Sequence, residues 1–313
     1  MKTKVFLFAA MTATVMMTSC NNDDEVIDNN APVEIRLSSG ITAQTRATFP
    51  ATDTQIANGR AVAIYVDDAT TTGNLYGNNV LTANGSGGFT GGTAMYFPQT
   101  GNNVDIYAFH TNGTLATAFP TAAISHTVST DQRVLAGYVA SDLLYASRQD
   151  VARTTSNVNL TFHHLLSKIQ VAVATGNGLL PSDVAKIEIL GTLPTAEFTP
   201  DKGVNADEQT ITVSGIATPI QISLNPCNGF GPEDLLYNDA IIVPQTVATG
   251  SNFIQVTLRG GGILTYSLPS ETIFESGKKY IYHITANLIG LTVTSTIENW
   301  TPVGGVTTGT AVM

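Results

Sequence analysis

The sequence predicts an all-β protein built from β-sandwiches. Three observations carry the prediction. Short apolar runs alternate along the chain with turn-forming clusters of Gly, Asn, Thr and Pro, the pattern of strands joined by turns. Only 12% of residues are charged while 28 are glycine and threonine is abundant. That composition favours pleated surfaces and turns, because Thr and Val suit a sheet and Gly supplies turns. No segment carries the sustained period of a long amphipathic helix. The 313 residues suffice for two domains of ordinary size, and the 43% hydrophobic content can supply their cores.

In chain order, residues 21–31 read as a polar linker. Val33, Ile35 and Leu37 then alternate with Glu34, Arg36 and Ser38, the period of a half-buried strand. Ala61–Val66 is a continuous apolar run and reads as a buried strand. Residues 67–93, rich in Gly, Thr and Asn, read as hairpins and loops. Ala94–Pro98 and Val104–His110 are expected strands around a turn at 99–103. Val158–Phe162 is another strand, His163–Ser167 a short helical turn, and Lys168–Ala174 a strand. Further strands are expected at Val184–Leu190, Gln209–Ser214, Ile220–Leu224, Ala240–Val243, Phe253–Leu258, Ile263–Leu268, Tyr280–Leu288 and Leu291–Ile297. A boundary within 163–180 would divide the chain into two halves of similar size. No strong internal repeat is visible.

The first twenty residues have a separate logic. Lys2 and Lys4 precede an apolar stretch from Val5 to Met16, and Met17-Thr18-Ser19-Cys20 closes it. A basic start, a short apolar core and small residues before a cut describe a secretory signal. The core is well short of the roughly 20 residues that span a bilayer, and no later apolar run is long enough. A cysteine at the first mature position points to a lipoprotein acylated at Cys20. Each buried methylene of its acyl chains would contribute about 0.8 kcal/mol of membrane affinity. The acidic, polar run Asn21–Glu25 suits a solvated tether and resembles the stretch that marks surface-exported lipoproteins of the Bacteroidetes. With Cys20 acylated, Cys227 is the one remaining thiol, so the mature chain has no internal disulfide.

The search for catalytic chemistry is negative. The chain lacks a Gly-rich phosphate loop, a His-Glu-x-x-His zinc motif and a Gly-x-Ser-x-Gly elbow. The histidine pair His163-His164 would point to opposite faces of a strand and could not readily share a metal; a turn residue beside a satisfied, half-buried histidine is the expectation. Asp67-Asp68, at a strand end, reads as a solvated loop in preference to a calcium site. Glu271, Glu275 and Glu298 are isolated carboxylates, and Cys227 reads as a buried or loop thiol. Trp300, the single tryptophan, reads as a core or domain-edge anchor in preference to a sugar platform. An enzyme, a metal and a cofactor are therefore not expected. The net charge of −10 argues against nucleic acid.

Several segments together resemble the fimbrillin family of the Bacteroidetes, the Mfa-like and FimA-like type V pilins. They are Thr45-Arg46-Ala47; Met95-Tyr96-Phe97-Pro98 followed by Val104–Phe109; Ser141–Ala146 and then Val158–Ile169; Ile242–Thr246; Phe274–Tyr280; and Ile297-Glu298-Asn299-Trp300. In this order, behind the lipid-type signal, they cover nearly the whole mature chain. The resemblance implies two transthyretin-like β-sandwich domains in tandem, at 47–167 and 168–313. A signal peptide at 1–19 and a propeptide at 20–46, carrying the lipid and an exchangeable N-terminal strand, would precede them. It implies export to the outer membrane and cell surface, and cleavage between Arg46 and Ala47 by an Arg-specific protease. Fimbriae would then assemble by strand exchange and contribute to adhesion and biofilm formation.

On this reading Val33–Leu37 fills the groove of its own domain until the cut, and a neighbour's strand then replaces it. The expected donor is the C-terminal tail, where Val306, Thr308, Thr310 and Val312 share one face and Thr307, Gly309, Ala311 and Met313 the other. Expected partners are other fimbrial subunits, whether further copies or tip and anchor pilins, the protease, the outer membrane through the lipid, and a host or bacterial surface ligand. A surface glycan-binding lipoprotein is the alternative.

Overall fold

The computed structural model describes residues 31–41, 55–115, 117–176, 178–222, 238–287, 290–300 and 309–311. Its regular structure is almost entirely β. Among the described residues the helical segments are one six-residue helix, Leu135–Ala140, and a turn of 3-10 helix at Pro181–Asp183.

The largest sheet has seven strands in the order Leu37–Ile41, Val158–His164, Leu144–Val151, Val104–His110, Ala61–Asp68, Asn74–Ala83 and Phe89–Thr90. Its two central strands are buried on both faces, which is why they read as continuous apolar runs. Val62, Ile64, Val66, Ile106 and Ala108 face one core, together with Leu160 and Phe162. Ala63, Tyr65, Tyr107 and Phe109 face a second core, shared with residues from the later half of the chain. The ends of this sheet come together: Ser38 bridges Gly88, and the Ser39 N–H donates to the Gly87 carbonyl at 2.7 Å. The sheet thus curls around its first core.

The later half supplies a five-stranded sheet, ordered Asn238–Ile242, Ser167–Thr175, Lys278–Asn287, Gly290–Asn299 and Gly309–Ala311. A second five-stranded sheet runs Ile263–Ser267, Asn252–Leu258, Val184–Ile189, Ile220–Ile222 and Asp131–Gln132. Ile211–Ser214, Thr195–Phe198 and Ile124–Thr127 form a three-stranded sheet, and Gln245–Val247 pairs with Thr272–Phe274. Sheet membership changes at Leu165-Leu166, yet Ile124–Thr127 and Asp131–Gln132 pair with strands beyond residue 180. Phe198 packs edge-on against Phe109 and Tyr145, with ring centroids 6.3 and 5.8 Å apart.

Two expectations need correction. The helical turn at 163–167 is absent. His163 and His164 continue the strand by pairing with Tyr145 and Leu144. The Leu165 N–H donates to the Leu143 carbonyl and the Gly277 N–H to the Leu166 carbonyl, so these backbone groups are used across the fold rather than within a helix. Residues 67–93 hold the expected hairpins, since Asn74–Ala83 pairs antiparallel with Ala61–Asp68 before it and with Phe89–Thr90 after it. Ala94–Pro98 is not a regular strand but a single bridge at Tyr96.

Candidate functional site

The N-terminal segment lies between two parts of the first sheet. The alternation seen at Val33–Leu37 continues to Ile41: Ile35, Ser39 and Ile41 are buried, and Val33 and Leu37 pack against the first core. Arg36 and Glu34 point outward and pair at 3.2 Å on the exposed face. Such an exposed pair contributes little. The inward side chains do the holding, at about 1.5–3 kcal/mol for each fully buried isoleucine.

The backbone of this segment is paired on both sides. On one side Leu37–Ile41 runs parallel to Val158–Phe162 in unbroken register, and the Val158 N–H donates to the Arg36 carbonyl at 2.7 Å. On the other side the Ile35 N–H donates to the Met95 carbonyl at 2.8 Å, and the Phe97 N–H to the Val33 carbonyl at 2.9 Å. The Gly87 contact of Ser39 completes that side. The segment is therefore an interior strand, and its removal would expose two unpaired sheet edges and an apolar groove.

Local chemistry builds the second wall. Asn84 Oδ1 accepts from the N–H groups of Ser86 and Gly88 at 2.8 and 2.9 Å and fixes the loop. Gly87 has φ of +82°, and a Cβ there would lie 2.8 Å from the Ser39 oxygen; only glycine permits this approach. The Tyr76 hydroxyl accepts from the Tyr96 N–H at 2.9 Å and donates to the Tyr96 carbonyl, bracing the neighbouring stretch. Arg153 reaches the Ala31 carbonyl at the start of the segment. The sequence reading found the strand but missed these wall residues. The Asn-Gly-Ser-Gly-Gly run at 84–88 was the available signal, since it demands special backbone geometry.

The other singled-out residues are structural. His164 is buried; its Nδ1 contacts Asp142 at 3.0 Å and its ring stacks on Trp300, with centroids 3.8 Å apart. Trp300 is 1% exposed, so it offers no platform to a sugar. Next to it Lys168 and Asp239 form a buried ion pair at 2.9 Å, and Gln170 donates to Asp239 at 3.0 Å. His163 is only partly buried and points to the other face of its strand. Burial depresses its pKa. Asp68 is not a solvated loop residue. It accepts from Asn102 Nδ2 and from the N–H groups of Thr70 and Thr71, each at 2.9 Å. Those bonds, Asn102 first, lower its pKa and use the lone pairs a cation would need. Among the described residues no His, Cys, Asp or Glu cluster is placed to hold a metal. Thr310 lies in Gly309–Ala311, antiparallel to Ser295–Ile297 at a sheet edge. Cys20, Arg46, Ala47, Cys227, Val306, Thr308 and Val312 lie outside the described residues.

Comparisons with known proteins agree with this architecture. The profile of the fimbrillin-like family matches residues 45–300, and the chain belongs to that family. A curated protein of Bacteroides uniformis, named as a candidate fimbrium subunit, Fim1C, is 27% identical over 98% of this chain and 99% of its own. The crystal structure of a candidate cell adhesion protein of Bacteroides uniformis is similar with a TM-score of 0.62 at 22% identity, over 86% of this chain and 98% of that one. Another, from Bacteroides ovatus, has a TM-score of 0.64 at 18% identity, over 88% and 100%. At those identities the two structures support the fold alone.

Proposed function

We propose that this chain is a structural subunit of a cell-surface fimbrium, delivered as an outer-membrane lipoprotein through Cys20 and assembled by strand exchange. A cut between Arg46 and Ala47 by an Arg-specific protease severs the interior strand 33–41 from the body that follows. A neighbouring subunit's strand then takes its place, with the Val306, Thr308, Thr310 and Val312 face as the donor. The polymer contributes to adhesion and biofilm formation, and the two halves, 47–167 and 168–313, act as tandem sandwich bodies.

The observation that carries this reading is the two-sided pairing of the N-terminal strand. A segment that completes a sheet, contributes Ile35 and Ile41 to its core and lies a few residues before Arg46 is suited to replacement by another strand. The experiment is Arg46→Ala. The expected product is a folded precursor that forms no SDS-resistant ladder, where the protease-treated parent does. Normal fimbriae from the variant would sink the assignment of Arg46.

A further inference from the structure

We propose that Lys168 and Asp239 are the site of a self-formed amide cross-link, with Gln170 polarising the carboxyl group that the lysine attacks. The cross-link belongs to the later half of the chain and does not depend on strand exchange or on a cut at Arg46.

The two reacting groups come from strands that lie side by side. Ser167–Thr175 and Asn238–Ile242 are antiparallel, with Gln170 opposite Asp239 and Lys168 opposite Ile241. Lys168 and Gln170 are two residues apart on one strand, so they share a face and flank the carboxyl group. Lys168 Nζ lies 2.9 Å from Asp239 Oδ2, and Gln170 Nε2 donates to Asp239 Oδ1 at 3.0 Å. The side chains of the pair are 1% and 0% exposed. The buried rings of Tyr138 and Trp300 stand 5.9 and 5.8 Å from the amine. The strand that carries Asp239 is also held from its other edge. Gln132 accepts the Ile241 N–H at 2.7 Å and donates to the Ile241 carbonyl at 2.8 Å. Amine and carboxyl are thus fixed against each other, as a reaction from a near-attack separation of about 3–3.5 Å requires.

The chemistry follows from the burial. An ion pair closed off from solvent has lost the hydration of both charges, and that desolvation penalty favours the neutral forms. One ammonium proton passes to Asp239 Oδ2. The neutral amine attacks Cγ, and the Gln170 N–H stabilises the charge that develops on Oδ1. A second proton follows from the nitrogen to Oδ2, which leaves as water. One C–N bond forms, one C–O bond breaks, and a cation and an anion become a neutral amide. The step consumes no oxidant and no co-reactant. Two other lysine–carboxylate pairs lack these conditions. In Lys186–Glu188 and Lys202–Asp67 the lysine side chains are 38% and 35% exposed, so water keeps the ammonium charged. The amide would tie the last strand of its sheet to the neighbouring strand and restrict the unfolded chain as a disulfide does.

The test is mass spectrometry of the whole chain after residue 20, recovered unfolded in urea, refolded at neutral pH and sampled over time under denaturing conditions. The expected mass falls by one water as the folded chain ages. Proteolysis should then give a branched peptide that joins Lys168 to Asp239, with no tryptic cut after Lys168. Lys168→Arg keeps the cation but cannot form the link, so its mass should stay whole. Gln170→Leu removes the donor to Oδ1 and should slow the loss of water roughly 100-fold, with circular dichroism confirming that the variant folds. Lys186 and Lys202 should appear only in unbranched peptides. A parent chain that folds and keeps its full mass would overturn the proposal. So would a loss of water that persists in Lys168→Arg, or a branched peptide at Lys186 or Lys202 in place of Lys168. Equal rates for the parent and a folded Gln170→Leu chain would overturn the part given to Gln170.

Discussion

The two terminal strands of this chain are held in opposite ways. The N-terminal strand Leu37–Ile41 has partners on both sides and side chains in the core. The C-terminal strand Gly309–Ala311 ends its sheet and pairs on one side, with Ser295–Ile297. The strand proposed to leave is thus the better held, and the strand proposed to move into a neighbour is the less committed. An edge strand loses little by leaving and gains a second row of hydrogen bonds in a groove, each worth a net ~1 kcal/mol. The interior strand has no such incentive, which is why the proposed exchange begins with a cut.

The sharpest way to break this comparison is Ile41→Asp in the intact chain. A carboxylate would replace a core side chain that is 5% exposed. Losing the buried methylenes and burying a charge should cost about 3–5 kcal/mol, read as a lower urea midpoint. A loss below about 1 kcal/mol would show that the strand is only laid on the surface.

The second prediction sets the groove against the seam between the early and late halves of the chain. His126, on the strand that pairs with Thr195–Phe198, accepts the Asn112 N–H at Nδ1 and contacts the Ser141 carbonyl through Nε2 at 3.0 Å. That arrangement fixes the neutral Nε2–H tautomer, and burial pushes its pKa down to about 4. The unfolded chain therefore binds the proton first as pH falls. Stability from this group is whole above about pH 6.5 and declines between about 6.5 and 4, by up to about 1.4 kcal/mol per pH unit. His110 shifts in the same direction, also through burial. Replacing His126 by Gln should flatten urea midpoints between pH 6.5 and 4.5, while Arg36→Ala, on the outer face of the N-terminal strand, should leave the slope unchanged. Equal slopes for parent and His126→Gln would remove the seam as the acid-sensitive region.

Gly87→Ala is a smaller change on the groove wall. Alanine would sit at positive φ with its Cβ against the Ser39 oxygen. The cost should be about 1–3 kcal/mol, read as a lower urea midpoint of the uncut chain. Unaltered stability would mean that the wall does not press on the strand.

The parts of this architecture that were legible in the sequence were those whose burial leaves a pattern. Ala61–Val66 and Val104–His110 read as strands because both faces are covered, and Val33–Leu37 because one is. The closure of the sheet was not legible. It depends on Gly87, Gly88 and Met95–Phe97 meeting a distant strand, and local preference does not encode a partner. Ile124–Thr127, Thr195–Phe198, Gln245–Val247 and Thr272–Phe274 are too short to show a period. The buried Lys168–Asp239 pair was likewise hidden, because a charged residue in sequence reads as surface until its partner is known. Within the site the strand was found and its walls were missed, while Cys20 and Arg46 rest on sequence alone.

The smallest effect is the most telling about the donor. Removing 306–313 takes away the three register pairs Ser295–Ala311, Thr296–Thr310 and Ile297–Gly309. These lie at a sheet edge, where water replaces lost backbone bonds, so each net loss is about 1 kcal/mol or less. Fixing the tail also costs backbone entropy of about 1–2 kcal/mol per residue, which deletion returns. The two contributions nearly cancel. The deleted monomer should therefore unfold within about 1 kcal/mol of the parent while failing to add the next subunit. Asp at both Val306 and Val312 should weaken polymers nearly as much, because each charge would face the groove without a partner. Asp at Thr307 and Ala311, on the opposite face of an extended tail, should do less. Urea titration of the monomer and ladder formation by the cut subunit read the two sides of this prediction. A deletion that costs the monomer several kcal/mol would make Gly309–Ala311 a structural strand of its own sheet. Equal ladders from the two Asp pairs would mean that the tail enters the groove in another register.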